Sequence, residues 1–236
     1  MSLDLRALTF DVFGTVVDWR TGIAREAEAI LGARGHALDW GAFADRWRSL
    51  YQPAMERVRT GERPWAILDV LHRENLLHLL EEKAIGDLSA DEIDHLNRAW
   101  HRLDPWPDVV DGLTRLKRRH IVAALSNGNV ALLVHMSKRA GIPWDVILGA
   151  EVARAYKPAP EAYDRAAAML GVEPGRCLMV AAHPGDLAAA AARGFRTAYV
   201  RRPLEYGPDK DRAWPEVKSW DFSVAGFDEL AERLGC

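Results

Sequence analysis

The sequence predicts an α/β fold: a doubly wound parallel sheet with helices on both faces, interrupted after its first strand by a helical insertion. Three observations predict it. Over residues 104–236, short continuous apolar runs alternate with helical patterns, as strands covered on both faces require. Several helical patterns stop at a glycine, namely Gly141, Gly171 and Gly194, the usual C-terminal stop. Residues 20–103 break the alternation and read as helix throughout.

Taken in order, Ala7-Leu-Thr-Phe10 is a short, mostly apolar run and reads as the first strand. Helical patterns follow over residues 22–31, 40–59, 65–82 and 90–103. Asp104-Pro-Trp-Pro-Asp108 reads as the return crossing, because its prolines forbid a continuous helix. Helix 109–119 leads to strand 121–125, helix 130–140 to a short strand at 146–148, and helix 159–170 to strand 177–182. Helix 187–193 leads to strand 197–200. Residues 202–219, rich in proline and charge, read as a long surface loop before a last strand near Phe222 and a helix from Asp228. The expected division is an α/β core of residues 1–19 and 104–236 and a helical cap of residues 20–103.

Composition removes several function classes. Lys and Arg total 31 against 34 Asp and Glu in 236 residues, a net charge of −3, which gives no reason to expect nucleic acid. The pairs Arg118–Arg119 and Arg201–Arg202 read as solvated surface. Hydrophobic residues at 49% and charged residues at 28% argue against disorder. No apolar run approaches the roughly 18 residues of a membrane span. Asp4 and Arg6 stand where a signal peptide would be apolar. The cysteines, Cys177 and Cys236, offer neither a disulfide scaffold nor a cysteine metal site. A cytoplasmic protein without a membrane partner is expected.

In an open parallel sheet, ligands bind outside the carboxyl ends of the strands. Asp11-Val-Phe-Gly-Thr15 follows the first strand, Ser126-Asn-Gly-Asn129 the second, Tyr156-Lys157-Pro158 the third after a short linker, and His183-Pro-Gly-Asp186 the fourth. The predicted sheet brings them to one rim. Asp11 is central: a carboxylate at the mouth of a buried strand needs nearby positive charge to stay ionised, and Lys157 can supply it. Gly14 permits a sharp turn and Thr15 offers a hydroxyl. Ser126 and Asn127 suit helix capping as well as ligand binding.

The order Asp-x-x-Gly-Thr, Ser-Asn, Lys-Pro and a late Asp resembles the signature motifs of the haloacid dehalogenase-like hydrolase superfamily, over the whole chain. That resemblance implies a Rossmann-like core with an inserted cap. Within it the sequence looks most like the L-2-haloacid dehalogenases. Phosphatases of the superfamily carry a second Asp that protonates a leaving alkoxide, where this chain has Phe13; a departing halide needs no such proton. Asp186 is followed by Leu187 and alanines, without the further carboxylate that often helps phosphatases hold Mg²⁺. Arg48 aligns with a cap arginine that reaches the substrate carboxylate, with Arg46 as the alternative register. The His183–Gly185 corner and the Pro-Trp-Pro segment are similar to a fluoroacetate-active subset.

The resemblance implies a hydrolase that converts short 2-haloalkanoic acids to 2-hydroxy acids with inversion, using no cofactor and no metal. Asp11 would be the nucleophile and Asp186 the base for water. Lys157 would hold Asp11 ionised, while Thr15, Ser126 and Asn127 position groups. Arg48, Phe13, Ser126, Asn127 and His183 would meet the substrate. The implied partners are the haloacid, water and the halide, with a homodimer as the assembly. The competing readings are a Mg²⁺-dependent phosphatase or phosphonate hydrolase of the same superfamily, and a non-catalytic binding protein.

Overall fold

The computed structural model describes residues 4–208 and 220–236. The chain opens with β1 (Ala7–Phe10) and β2 (Val17–Asp18), then α1 (Trp19–Leu31), α2 (Trp40–Ser49), α3 (Tyr51–Arg59), α4 (Leu68–Glu82) and α5 (Ala90–Asn97). β3 (Asp104–Pro105) brings it back to α6 (Val109–Leu116), β4 (Ile121–Ser126), α7 (Val130–Ala140), β5 (Val146–Gly149), α8 (Ala150–Ala153) and α9 (Pro160–Leu170). It ends with β6 (Cys177–Ala181), α10 (Pro184–Ala191), β7 (Arg196–Val200), β8 (Phe222–Val224) and α11 (Phe227–Arg233).

Six strands form a parallel sheet in the order β5-β4-β1-β6-β7-β8. β1 lies between β4 and β6, and all four of its residues are buried. Successive side chains take opposite faces, as a strand requires. Leu8 and Phe10 pack in one core with Val122, Ala124, Leu178 and Val180. Ala7 packs in the other with Ala123, Cys177, Met179 and Tyr163. The first core continues into the helical insertion through Phe13, Trp19, Trp47 and Trp100. The expected doubly wound sheet, with its helical insertion after β1, is therefore the fold observed.

The differences from the expected elements have local causes. The helix expected over 40–59 breaks at Leu50. A continuous helix would need an N–H that Pro53 lacks; the break puts Pro53 in a first turn, where no partner is required. The last helix before β7 starts at Pro184, earlier than the expected 187, with proline at its first position. Asp186 thus sits inside the first turn of α10. The segment expected over 90–103 is α5 followed by a 3₁₀ stretch, Arg98–Arg102.

The two-residue strands β2 and β3 are too short to show a periodicity. They pair antiparallel, Val17 with Pro105 and Asp18 with Asp104, and so fasten the entry and exit of the insertion side by side. Trp106 reinforces the junction by donating its Nε1–H to the Gly14 carbonyl at 2.9 Å. Part of the expected surface loop at 202–219 lies outside the described residues. In the described part, Glu205 and Gly207 are buried and turn inward, which corrects that expectation.

Candidate active site

The carboxyl ends of β1, β4 and β6 face a cavity of about 580 Å³ between the sheet and the insertion. Asp11 follows β1 directly, its N–H bonded to the Val180 carbonyl at 3.0 Å. Gly14 then turns the chain with φ of +86°, a left-handed conformation that favours glycine. The turn brings Thr15 back over Asp11. Thr15 Oγ1 donates to Asp11 Oδ2 at 2.7 Å and accepts from the Ala182 N–H at 2.9 Å.

Lys157 is held by its own backbone. Asn127 accepts the Lys157 N–H at 2.7 Å and donates to its carbonyl at 3.3 Å. Arg59, from the insertion, donates to the same carbonyl at 3.1 Å. The Lys157 ammonium donates to Asp11 Oδ1 at 3.1 Å and also to Asp186 Oδ2. Asp186 Oδ1 in turn accepts from the Tyr163 hydroxyl at 2.5 Å.

His183, at the N-terminal boundary of α10, joins two carboxylates. Its Nδ1 lies 2.9 Å from Asp11 Oδ2 and its Nε2 lies 2.9 Å from Glu205 Oε1. Trp19 Nε1 donates to that same Glu205 oxygen at 3.2 Å.

The charges are buried and balanced. Burial alone would push the Asp11 carboxyl up; the Lys157 ammonium and the bond from His183 outweigh it and hold Asp11 below the usual carboxylate range. Burial dominates at Asp186, whose carboxyl stands above the usual range although Lys157 touches it. Two neighbouring carboxyl groups pushed apart in this way suit different roles, one ionised throughout and one able to take a proton. Burial disfavours charge on His183 too, but Glu205 and Asp11 raise its pKa to about 10. Glu205 is held below its usual range by His183, against the opposing effect of burial. Burial likewise disfavours charge on Lys157, and its carboxylate neighbours raise its pKa nonetheless.

Of the residues singled out in the sequence, Asp11, Phe13, Arg48, Asn127, Lys157, His183 and Asp186 line the cavity. Thr15 and Ser126 stand just behind the wall. Thr15 touches Asp11, and Ser126 Oγ accepts the Gly128 N–H at 3.0 Å. The two candidate arginines point to different places. Arg46 points outward in an exposed ion pair with Glu82 at 2.8 Å. The Arg48 guanidinium sits 4.0 Å over the Tyr51 ring, and its buried Nη1 has no hydrogen-bond partner among the described residues. Phe13 packs edge-on against Trp100, with ring centroids 5.7 Å apart. His72 lies stacked on Trp100, kept neutral by burial, with a pKa of about 3.

Sequence reasoning missed Tyr163, Glu205, Gln52, Arg59 and Tyr206. The last three line the cavity. Tyr163 sits inside α9, where its sequence neighbours carry no motif, and Glu205 lies in the segment expected to be a surface loop. The one available signal was position: Glu205 follows the end of β7, on the same rim. Among the described residues, no cluster of three or more His, Cys, Asp or Glu is arranged to hold a metal ion.

The haloacid dehalogenase-like hydrolase family matches residues 5–194. A curated relative, (S)-2-haloacid dehalogenase 4A of Burkholderia cepacia, is 33% identical over 208 residues, covering 86% of this chain and 87% of the relative. A solved structure of a defluorinating L-2-haloacid dehalogenase superposes with a TM-score of 0.95 at 49% identity, covering 98% of this chain and 96% of that one. A second L-2-haloacid dehalogenase structure gives a TM-score of 0.93 at 41% identity, covering 98% and 99%. With its parallel sheet, its rim of four matching strand ends and this breadth of similarity, the chain belongs to the haloacid dehalogenase-like hydrolase family.

Proposed function

We propose that this protein is an (S)-2-haloacid dehalogenase, hydrolysing short 2-haloalkanoic acids, haloacetates included, to 2-hydroxy acids. One observation carries the reading: an ionised, buried Asp11 shares a cavity with the Arg48 guanidinium, whose Nη1 has no hydrogen-bond partner among the described residues, and Phe13 stands where a phosphatase needs an acid. Substrate and nucleophile are both carboxylates and repel. A guanidinium suits the substrate carboxylate and offsets that repulsion. The aromatic rings around Arg48 hold it in place.

Asp11 attacks C2 opposite the halide from a near-attack separation of roughly 3–3.5 Å. The halide leaves with the bonding pair, and an aspartyl ester remains. Water then attacks the Asp11 side-chain carbonyl carbon, with Asp186 as base, so C2 inverts once. Tyr163 orients Asp186, and Lys157 serves both carboxylates. In this reading residues 20–103 act as a cap over a core of residues 1–19 and 104–236. Fluoroacetate belongs in the substrate range because of the likeness to the defluorinating enzyme. The assembly in this reading is a homodimer, checked by light scattering, and the protein works in the cytoplasm, checked by fractionation. No helix among the described residues is long and apolar enough to cross a membrane.

The test is halide release from chloroacetate, fluoroacetate and L-2-chloropropionate with EDTA present, beside Asp11→Asn. Release that survives EDTA and vanishes in the variant supports the aspartyl-ester route. Mg²⁺-dependent release of phosphate from a phosphate ester, without halide release, replaces it with the phosphatase reading. A phosphonate hydrolase is disfavoured separately: it needs a lysine in the cap, and Lys83 is exposed beyond α4, outside the cavity wall.

A further inference from the structure

Glu205 is 4% exposed, yet no role above requires it. A carboxylate is placed so deeply only when paired. It meets His183 Nε2 and Trp19 Nε1 on one oxygen. It also lies so close to Gly14 that a Cβ there would stand 2.2 Å from Glu205 Oε1. The Gly14 turn and the loop after β7 are therefore fitted to each other around this side chain.

The consequence falls on Asp11. With Glu205 accepting from Nε2 and Asp11 accepting from Nδ1, both ring nitrogens of His183 are donors, which is the imidazolium form. Asp11 Oδ2 then receives two donors, Thr15 at 2.7 Å and His183 at 2.9 Å, while Oδ1 receives Lys157 alone among the described residues. A carboxylate oxygen has two in-plane lone pairs. Oδ2 is saturated; Oδ1 keeps one pair for attack.

We propose that Glu205 is a positioning residue for ester hydrolysis: it fixes His183 as a permanent cationic donor that, with Thr15, forms the oxyanion site at Asp11 Oδ2, leaving Oδ1 as the nucleophilic oxygen. The inference rests on the dehalogenase reading and adds a residue and an atom assignment to it. In the first step the C2–Oδ1 bond forms, the carbon–halogen bond breaks, and Oδ2 becomes the ester carbonyl oxygen. Water adds to the carbonyl carbon and gives one proton to Asp186; the carbonyl pair moves onto Oδ2, between the Thr15 hydroxyl and the His183 N–H. On collapse the carbon–Oδ1 bond breaks. Oδ1 leaves as the product hydroxyl, taking a proton from Lys157, which recovers one from Asp186. The second water proton remains on the regenerated Asp11 carboxyl and passes to solvent. His183 keeps its proton throughout.

The charged groups facing His183 are Asp11 and Glu205 in direct contact, Lys157 and Asp186 across the same cavity, and Arg201 and Arg202 in the smaller cavity behind it. Arg48 acts on it through Glu205.

The test is Glu205→Gln, which keeps the shape and one acceptor but removes the charge. With chloroacetate as probe, the first-turnover burst of halide should stay within about twofold of wild type. Steady-state turnover should fall about 10- to 100-fold, the scale of a weakened oxyanion donor. Intact-mass spectra should show the chain carrying one carboxymethyl group on Asp11. The alkaline limb of the pH–rate profile should move to lower pH, because the imidazolium loses the carboxylate that raises its pKa. Wild-type turnover without an accumulating ester overturns the proposal, as does equal loss of burst and steady state in a folded variant. The unaltered enzyme gives an independent check should the variant not fold. Its turnover should not decline as pH rises from about 6 to 8, and a decline there overturns the permanent charge. Absence of any halide release by wild type would instead overturn the dehalogenase reading beneath it.

Discussion

Replacing Lys157 by Met tests the electrostatic logic of the site most directly. Lys157 is 5% exposed and Asp11 7%, so solvent screens their attraction little. The Lys157 ammonium is the one cation that touches both Asp11 and Asp186 among the described residues. Lys157→Met leaves an excess negative charge between two buried carboxylates. Removing one partner of a buried pair costs about 3–5 kcal/mol. For a chain of this length that corresponds to a fall in Tm of roughly 6–20 °C at pH 7–8.

The pH dependence carries the diagnosis. In the wild type, Asp11 is held below its usual range, so its stabilisation is present above the ordinary carboxyl pKa and is lost as pH falls through its lowered one. In the variant, burial and mutual repulsion dominate and one carboxyl rises above its usual value. Its stability is then greatest at low pH and declines as pH rises through the raised pKa. The gap in Tm between the two proteins should therefore narrow from pH 8 to pH 5, read by calorimetry across that range. Halide release at pH 7 should fall by at least about 10³-fold, since the nucleophile is then partly protonated and the acid that protonates the departing Oδ1 is gone. A variant whose Tm stays within about 1 °C of wild type at pH 8 would refute the claim that Lys157 neutralises this pair.

Arg48→Ala should raise KM for chloroacetate roughly 10- to 100-fold, as expected for losing a bidentate carboxylate partner, while Arg46→Ala should change neither KM nor kcat beyond about twofold, because its ion pair is exposed. Tyr163→Phe removes a bond that lowers the Asp186 carboxyl. Asp186 then protonates at higher pH, so the acid limb of the pH–rate profile should shift upward and the Asp11 ester should accumulate in mass spectra. Phe13→Ala should cost about 3–5 kcal/mol, from a cavity opened among Trp100, Tyr51 and His72, measured by denaturant unfolding.

Much of this molecule was legible in its residue order because parallel sheets impose a simple geometry. Continuous apolar runs had to be buried strands, and strands that all run one way place their following residues on one rim. Asp11, Asn127, Lys157 and Asp186 could thus be gathered without knowing a single distance. Phe13 could be read against a second acid for the same reason: its place is fixed two residues beyond Asp11. Elements were recoverable wherever one periodicity ran far enough to register. The split at Leu50 escaped because Pro53 permits either a kink or a fresh start, and β2 and β3 escaped because two residues carry no period.

Other facts had no local signature. Arg46 and Arg48 lie two residues apart on one helix, and only the packing of that helix against Trp100 and His72 sent one to solvent and the other over Tyr51. Tyr163 reaches Asp186 across 23 positions, and Glu205 reaches Trp19 across 186. Sequence fixes such a contact only through the whole fold, since a side chain's partner depends on where distant backbone comes to lie. The residue order alone determined which chemistry gathers at the rim. The tertiary structure decided which atoms touch, and with them the charge on His183 and the oxygen of Asp11 left free to react.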